Sequence, residues 1–209
     1  MTEEYERKWN EYFIDGTNVL KNKLGITDYN LLKQKETDIS FERLVELYNN
    51  PIKGNFDKYH LCAIHKYIFD SIYPFAGKYR TVYMQKNRSY FTSEKNIDSE
   101  LDIVLKEMKS EFLKCKYFRE FTYFLAEYYY DLLVIHPFRE GNGRTIREFI
   151  REYVSVNMPG FKLDFTLMDK DNLEQGIQYA SFSKTLLEME FAKALVLTEE
   201  IENKDVKKL

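Results

Sequence analysis

Glycine and proline are scarce in this chain, 8 and 4 among 209 residues, roughly half the ~12% combined share of an average protein. So few breakers leave long uninterrupted stretches and predict helix. Cysteine is nearly absent too. Cys62 and Cys115 lie far apart with no CxxC spacing, which argues against a disulfide framework or a zinc knuckle and fits a reducing cytoplasm. No apolar run is long enough to span a bilayer, and the amino terminus, MTEEYERKW, has no apolar core of a signal peptide. Nor is one sign of charge in surplus: 31 Lys and Arg face 34 Asp and Glu, a formal net of −3, so nothing draws the chain to nucleic acid or anionic lipid. What is present, 44% apolar and 31% charged residues, fits a soluble chain of one domain, residues 1–209, with its own core.

Helical spacing dominates. Ser40 reads as an N-cap for a helix carrying Phe41, Leu44, Val45 and Tyr48 on one face. Leu61, Ile64, Ile68 and Ile72 form a second stripe, which Pro74 should stop. Ile97, Leu101, Val104, Met108 and Phe112 make a third, and Phe118, Phe121, Leu125, Tyr128, Leu132 and Ile135 a fourth. RTVYMQ and SYFT, joined by Lys86-Asn87-Arg88, break the rhythm and read as a short hairpin or an irregular loop. Past residue 160 a loop is expected, then helices from about Asp171 and from Lys184 to near Asn203.

Chemistry concentrates in residues 136–147, HPFREGNGRTIR. Pro137 disfavours helical dihedrals at His136, so the fourth helix should end there, with the imidazole at the junction. Gly141 and Gly143 bracket Asn142 just before a new stripe of Ile146, Phe149, Ile150, Tyr153 and Val154. A glycine-bracketed helix start turns backbone N–H groups toward one point and adds the positive end of the helix dipole, which makes a phosphate cradle. Arg144 and Arg147 in the first turn can fork onto phosphate oxygens. Glu140 is a hard oxygen ligand placed for Mg²⁺, and His136 can accept a proton near neutral pH. The composite suits phosphoryl-type transfer.

Taken singly, these features have plainer meanings. Arg144, Glu148 and Arg151 equally describe a surface laced by ion pairs, Gly-Asn-Gly a turn, and His136 a junction histidine. His60 and His65, inside a helical stripe, read as packing or surface residues. From the residues alone the reading stops at an anion site with a base beside it.

The same twelve residues fill every defined position of the Fic signature, HPFx[DE]GNGRxxR. The chain also resembles Fic domains in GTNVLKNKLGITD at 16–28, in FDKYHLCAIHKYIFDSIYPFAGKYRTV at 56–82 and in SYFT at 89–92. The resemblance implies an all-α Fic helical bundle, core about 10–195, with a small β-hairpin flap at about 79–92. It implies transfer of AMP from ATP to a Tyr, Thr or Ser hydroxyl of a target protein, with pyrophosphate leaving. His136 is then the base, Glu140 the ligand of Mg²⁺ or Mn²⁺, and Gly141, Asn142 and Gly143 the cradle. Arg144 and Arg147 clamp the β- and γ-phosphates, and Phe138 anchors the loop. The flap residues Tyr83, Met84, Gln85, Ser89, Tyr90 and Phe91 would dock the target by β-augmentation.

Many Fic proteins carry an inhibitory helix with the pattern [ST]xxxE[GN]. Thr198-Glu199-Glu200-Ile201-Glu202-Asn203 matches it and, with a helix over about 184–203, resembles the carboxyl-terminal inhibitory class. Glu202 paired with Arg147 would remove the charge that holds the γ-phosphate. A separate antitoxin partner is the alternative, and self-association and self-modification are further expectations. Within the superfamily a Doc-like kinase is the rival activity, disfavoured by Gly143 where Doc-type motifs have Lys. Removal of AMP from modified targets and a non-catalytic nucleotide-binding helical module complete the alternatives.

Overall fold

The structure, a computed structural model, describes residues 3–86 and 89–198. Among them the order is α1 (Glu3–Asn10), α2 (Tyr29–Asn49), α3 (Lys58–Phe69), β1 (Gln85–Lys86), β2 (Ser89–Tyr90), α4 (Ile97–Phe112), α5 (Phe118–Ile135), α6 (Asn142–Asn157), β3 (Phe161–Leu163), a 3-10 turn at Phe165–Leu167, α7 (Lys170–Tyr179), α8 (Thr185–Ala194) and β4 (Leu195–Leu197). The fold is helical with a small hairpin, as expected. Among the described residues no helix is long and apolar enough to cross a membrane. The chain divides into two compact units, one of residues 1–100 with 135–145, the other of 101–134 with 146–209.

In the first unit α3 follows its sequence closely. Asp57 caps it, accepting from His60 N at 2.9 Å, and Leu61, Ile64 and Ile68 are fully buried. The helix ends at Phe69, before Pro74, and Ile72 packs from the turn beyond. Helix α2 departs from expectation. It starts at Tyr29, capped by Asp28, whose carboxylate accepts from Leu31 N at 2.8 Å, so Ser40 lies mid-helix rather than at its start. Phe41, Val45 and Tyr48 are exposed, and the inner face carries Leu32, Ser40 and Leu47. Polar side chains on that inner face hide its period from a hydrophobicity reading. Strands β1 and β2 pair antiparallel with Gln85 opposite Tyr90 and Lys86 opposite Ser89, a shorter hairpin than its apolar composition suggested.

The second unit has an aromatic core. The Phe112 ring lies 5.6 Å from those of Phe121 and Phe124 and 5.5 Å from Tyr153, spacings at which edge-to-face contact adds to burial. The α6 stripe, Ile146, Phe149, Ile150, Tyr153 and Val154, is buried throughout, whereas Phe118 at the start of α5 is exposed. Arg151 forks onto the buried Glu148 at 2.8 and 2.6 Å, so the ion-pair reading holds for this arginine. The expected helix from Lys184 to Asn203 stops at Ala194. Leu195–Leu197 turn into strand β4, paired antiparallel with β3, and Thr198 N extends the ladder to Gly160 O at 2.9 Å. Leu163 and Leu195 face each other in register and both are buried, a gain that continued helix would forfeit. Thr198 therefore closes a strand, and Glu202 lies outside the described residues.

Candidate functional site

Helix α5 ends at Ile135, and His136 takes a left-handed backbone, φ 48°, which for a non-glycine residue costs about 1–2 kcal/mol. That conformation is held from one side. Arg80, almost fully buried, donates from Nε to His136 O at 2.8 Å and from Nη2 to Ile135 O at 3.2 Å, and its N–H bonds Pro137 O at 2.8 Å. A cation on the last carbonyls of a helix offsets the negative end of its dipole. On its other side the His136 imidazole lies flat on Phe91, with ring centroids 3.8 Å apart and planes 9° apart.

The loop that follows is clamped by its own side chains. Asn142 accepts from Phe138 N through Oδ1 at 2.9 Å and donates from Nδ2 to Phe138 O at 2.7 Å. Its amide thus shapes the cradle rather than lining it, while the fully buried Phe138 anchors the turn. Gly141 has φ 81°, and a Cβ there would sit 2.3 Å from Phe69 Cε2, so only glycine fits. Beneath the loop lies His65. Its Nδ1 accepts from Gly77 N at 2.7 Å and Nε2 donates to Glu140 O at 3.0 Å, with the ring stacked 3.8 Å from Phe138. Burial lowers this imidazole to about 4, so it is neutral, and the Nδ1 acceptor fixes the Nε2–H tautomer.

Helix α6 opens with Thr145 N on Gly141 O at 3.1 Å. The N–H groups of Asn142, Gly143 and Arg144 precede that first bond and have no acceptor within the helix. Arg144 projects from this turn onto α2. Its Nη1 donates to Ser40 Oγ at 2.8 Å, its Nη2 donates to Glu36 Oε1, and Tyr73 donates its hydroxyl to Glu36 Oε2. The guanidinium also lies 4.8 Å over the Phe69 ring, and its Nη2 is 3.7 Å from Glu140 Oε1. Glu140 Oε1 accepts from Gly141 N at 2.9 Å, and its side chain remains 41% exposed. Among the described residues no group of three or more His, Cys, Asp or Glu could by itself hold a metal. One open carboxylate at a phosphate-binding turn is nevertheless the donor set that suits Mg²⁺, which takes its other ligands from water and phosphate. Arg147, in the second unit, hydrogen-bonds the buried Tyr129 hydroxyl.

The hairpin is tethered within the same first unit. Arg80 Nη1 donates to Val82 O at 2.7 Å and Nη2 to Thr92 O, one carbonyl on each side of the hairpin. Tyr5 OH bonds Tyr83 O at 2.9 Å, and Phe91 N reaches Met84 O at 3.4 Å. Tyr90 is exposed, and Gln85 and Ser89 sit in the paired strands. Of the residues singled out in the sequence, His136, Glu140, the cradle, Arg144 and the flap come together in this unit. Sequence reasoning missed Glu36, Ser40 as a ligand of Arg144, His65 as the loop's support, and Arg80. The available signal was a polar residue on an otherwise buried face, visible only once the α2 register is known.

The Fic/DOC family profile matches residues 55–154. The chain is 33% identical over 170 residues to the protein adenylyltransferase VbhT of Bartonella schoenbuchensis, covering 81% of this chain and 35% of VbhT, so it spans about a third of that relative. It is 30% identical over 155 residues to the probable protein adenylyltransferase y4lH of Sinorhizobium fredii, covering 71% of this chain and 76% of the relative. The crystal structure of the Bartonella tribocorum effector protein BepC with bound AMPPNP superposes with a TM-score of 0.82 at 25% identity, covering 91% of this chain and 98% of that one. The chain belongs to the Fic/DOC family.

Proposed function

We propose that this member of the Fic/DOC family is a protein adenylyltransferase that moves AMP from ATP to a hydroxyl side chain of a target protein. The observation that carries the reading is the loop from His136 to Arg144. It joins an imidazole at a helix end to the unpaired N–H groups of the next helix start, and an arginine stands in that first turn. The names of VbhT and y4lH, and AMPPNP bound to BepC, support the same chemistry. Residues about 10–195 form the catalytic core in this reading, with the flap at 79–92.

His136 accepts the proton of the target hydroxyl as its oxygen bonds to the α-phosphorus. The bond from that phosphorus to the α,β-bridging oxygen breaks, and its electron pair leaves with pyrophosphate. The N–H groups of Asn142, Gly143 and Arg144, with the guanidiniums of Arg144 and Arg147, hold the phosphates and the charge that develops on them. Glu140 would hold Mg²⁺, which supplies further neutralisation of the polyphosphate when bound. Tyr83, Met84, Gln85, Ser89, Tyr90 and Phe91 present the target segment. Glu202 acts on Arg147 as an inhibitory partner, and a separate antitoxin would serve the same end. Self-association and self-modification accompany many such chains. Two free cysteines, Cys62 and Cys115, support a cytoplasmic setting.

The test is a lysate assay with ATP labelled at the α- or the γ-phosphate. Protein-bound label from the α position, lost in His136→Ala, is expected. Label from the γ position alone would replace this reading with a kinase, and no label from either would reduce the chain to a nucleotide-binding module. Glu202→Gly should transfer faster than the parent; equal rates would remove the inhibitory role.

A further inference from the structure

Arg80 is not part of the nucleotide-binding motif, yet it is the side chain on which the flap and the base both hang. Its Nε reaches His136 O at 2.8 Å and its Nη1 reaches Val82 O at 2.7 Å, while Nη2 is shared between Ile135 O and Thr92 O. Val82 and Thr92 bracket the hairpin, and Ile135 and His136 are the last carbonyls of α5 and the first of the catalytic loop. One planar fork therefore ties both ends of the flap to the backbone of the base. The tie has a second component at the tip of the tethered segment, the Phe91 ring lying 3.8 Å from the His136 imidazole.

The geometry points to Arg80 as a positioning residue that fixes the flap relative to His136, so that a target hydroxyl docked on the flap meets the imidazole in register. This deepens the transfer reading above and rests on it. Arginine is required because four carbonyls are met at once by a rigid set of donors; lysine offers a single ammonium and cannot span them. Removing the fork would let the flap and the imidazole drift apart by a fraction of an ångström to an ångström, while the N–H groups of Asn142, Gly143 and Arg144 stay where the Phe138–Asn142 clamp holds them. Transfer should then fail for want of alignment, with nucleotide binding intact.

The experiment uses the full chain and Arg80→Lys, with Phe91→Leu as a reference. The sequence has only 3 histidines, so the His136 ring C–H resonances are assigned by comparison with His136→Ala. Stacked on Phe91, those protons are shielded by its ring current, and Phe91→Leu shows their unstacked positions. In Arg80→Lys the resonances should move most of the way to those positions. Transfer of α-label should fall by about 100-fold, while affinity for a non-hydrolysable ATP analogue is unchanged. Resonances that stay put, or affinity that falls in step with transfer, would overturn the proposal. If the parent transfers no α-label, the transfer reading fails, and the resonance shift still decides the coupling. Should Arg80→Lys not fold, Phe91→Leu tests the coupling alone: slowed transfer with unchanged affinity supports it, and parental transfer overturns it.

Discussion

The Arg144 guanidinium is bound to the Glu36 carboxylate, an ion pair between the first turn of α6 and the middle of α2 that leaves the side chains 22% and 12% exposed. Glu36 also takes the Tyr73 hydroxyl, whose ionisation burial and this carboxylate together push upward. Arg144 is thus held from the α2 side before any phosphate arrives. Its nearest competitor is Glu140, 3.7 Å away and four residues earlier.

Glu36→Ala strands a guanidinium and a phenol, and should lower stability by about 2 kcal/mol. Glu36→Gln keeps an acceptor for each donor and should cost about half as much. Urea unfolding of both variants tests this. Equal losses would mean that the carboxylate's charge and both its hydrogen bonds carry no weight.

His65 makes stability pH-dependent. Folding holds its imidazole near 4, against ~6.5 unfolded, so between those values the unfolded chain binds the extra proton and stability falls as pH falls. Protonation would place a second N–H against Gly77 N, now 2.7 Å from Nδ1. The full loss is about 3 kcal/mol, reached near pH 4. Asp131, pushed up to about 6 by burial and then by Glu127, acts with opposite sign, since its raised carboxyl favours the folded state as pH falls. The quantity to measure is therefore the difference in urea stability between the parent and His65→Gln across pH 4–7. A difference that does not change with pH would show that His65 is not held neutral by the fold.

Gly141→Ala meets two penalties, the left-handed backbone and a Cβ 2.3 Å from the Phe69 ring, which is buried under Arg144 and has no room to retreat. Together they should cost about 3 kcal/mol. Adding Phe69→Leu should recover the steric part only, so a double-mutant cycle should show favourable coupling. Strict additivity would place the whole cost in the backbone.

The helices around the site were legible because their buried faces are aliphatic and aromatic at helical spacing, as in α3, α5 and α6. The motif loop was legible because proline and glycine occur where one helix must stop and another start. Helix α2 was not, because the residues that face inward there include Glu36 and Ser40, chosen for Arg144 rather than for burial, while Phe41, Val45 and Tyr48 remain outside. The same holds for His65 and Arg80: each is a polar residue in a core position, and only long-range partners 56 to 75 residues away along the chain explain it. Strand β4 was misread as helix because Leu195-Val196-Leu197 is too short a run for periodicity to decide, and its partner β3 lies far upstream.

Asn142 supplies the sharpest test of how the cradle is built. Its Oδ1 accepts from Phe138 N, and its Nδ2 donates to Phe138 O at 2.7 Å, with the residue 3% exposed. In Asn142→Asp one oxygen keeps the first bond and the other faces a carbonyl. The carboxylate gains from the helix start, up to about 1 kcal/mol. Turning a donor into a buried acceptor opposite a carbonyl costs about 2–3 kcal/mol, so the repulsion wins and the new carboxyl should titrate above the ordinary aspartate range. Protonated, it can donate to Phe138 O again. Asn142→Ala loses both bonds at every pH and has nothing to titrate. At pH 8 the Asp variant should therefore be less stable than the Ala variant, and near pH 5 more stable, with the two urea-midpoint curves crossing between. Parallel curves would mean that Phe138 O does not depend on this side chain, and that the loop keeps its shape by other means.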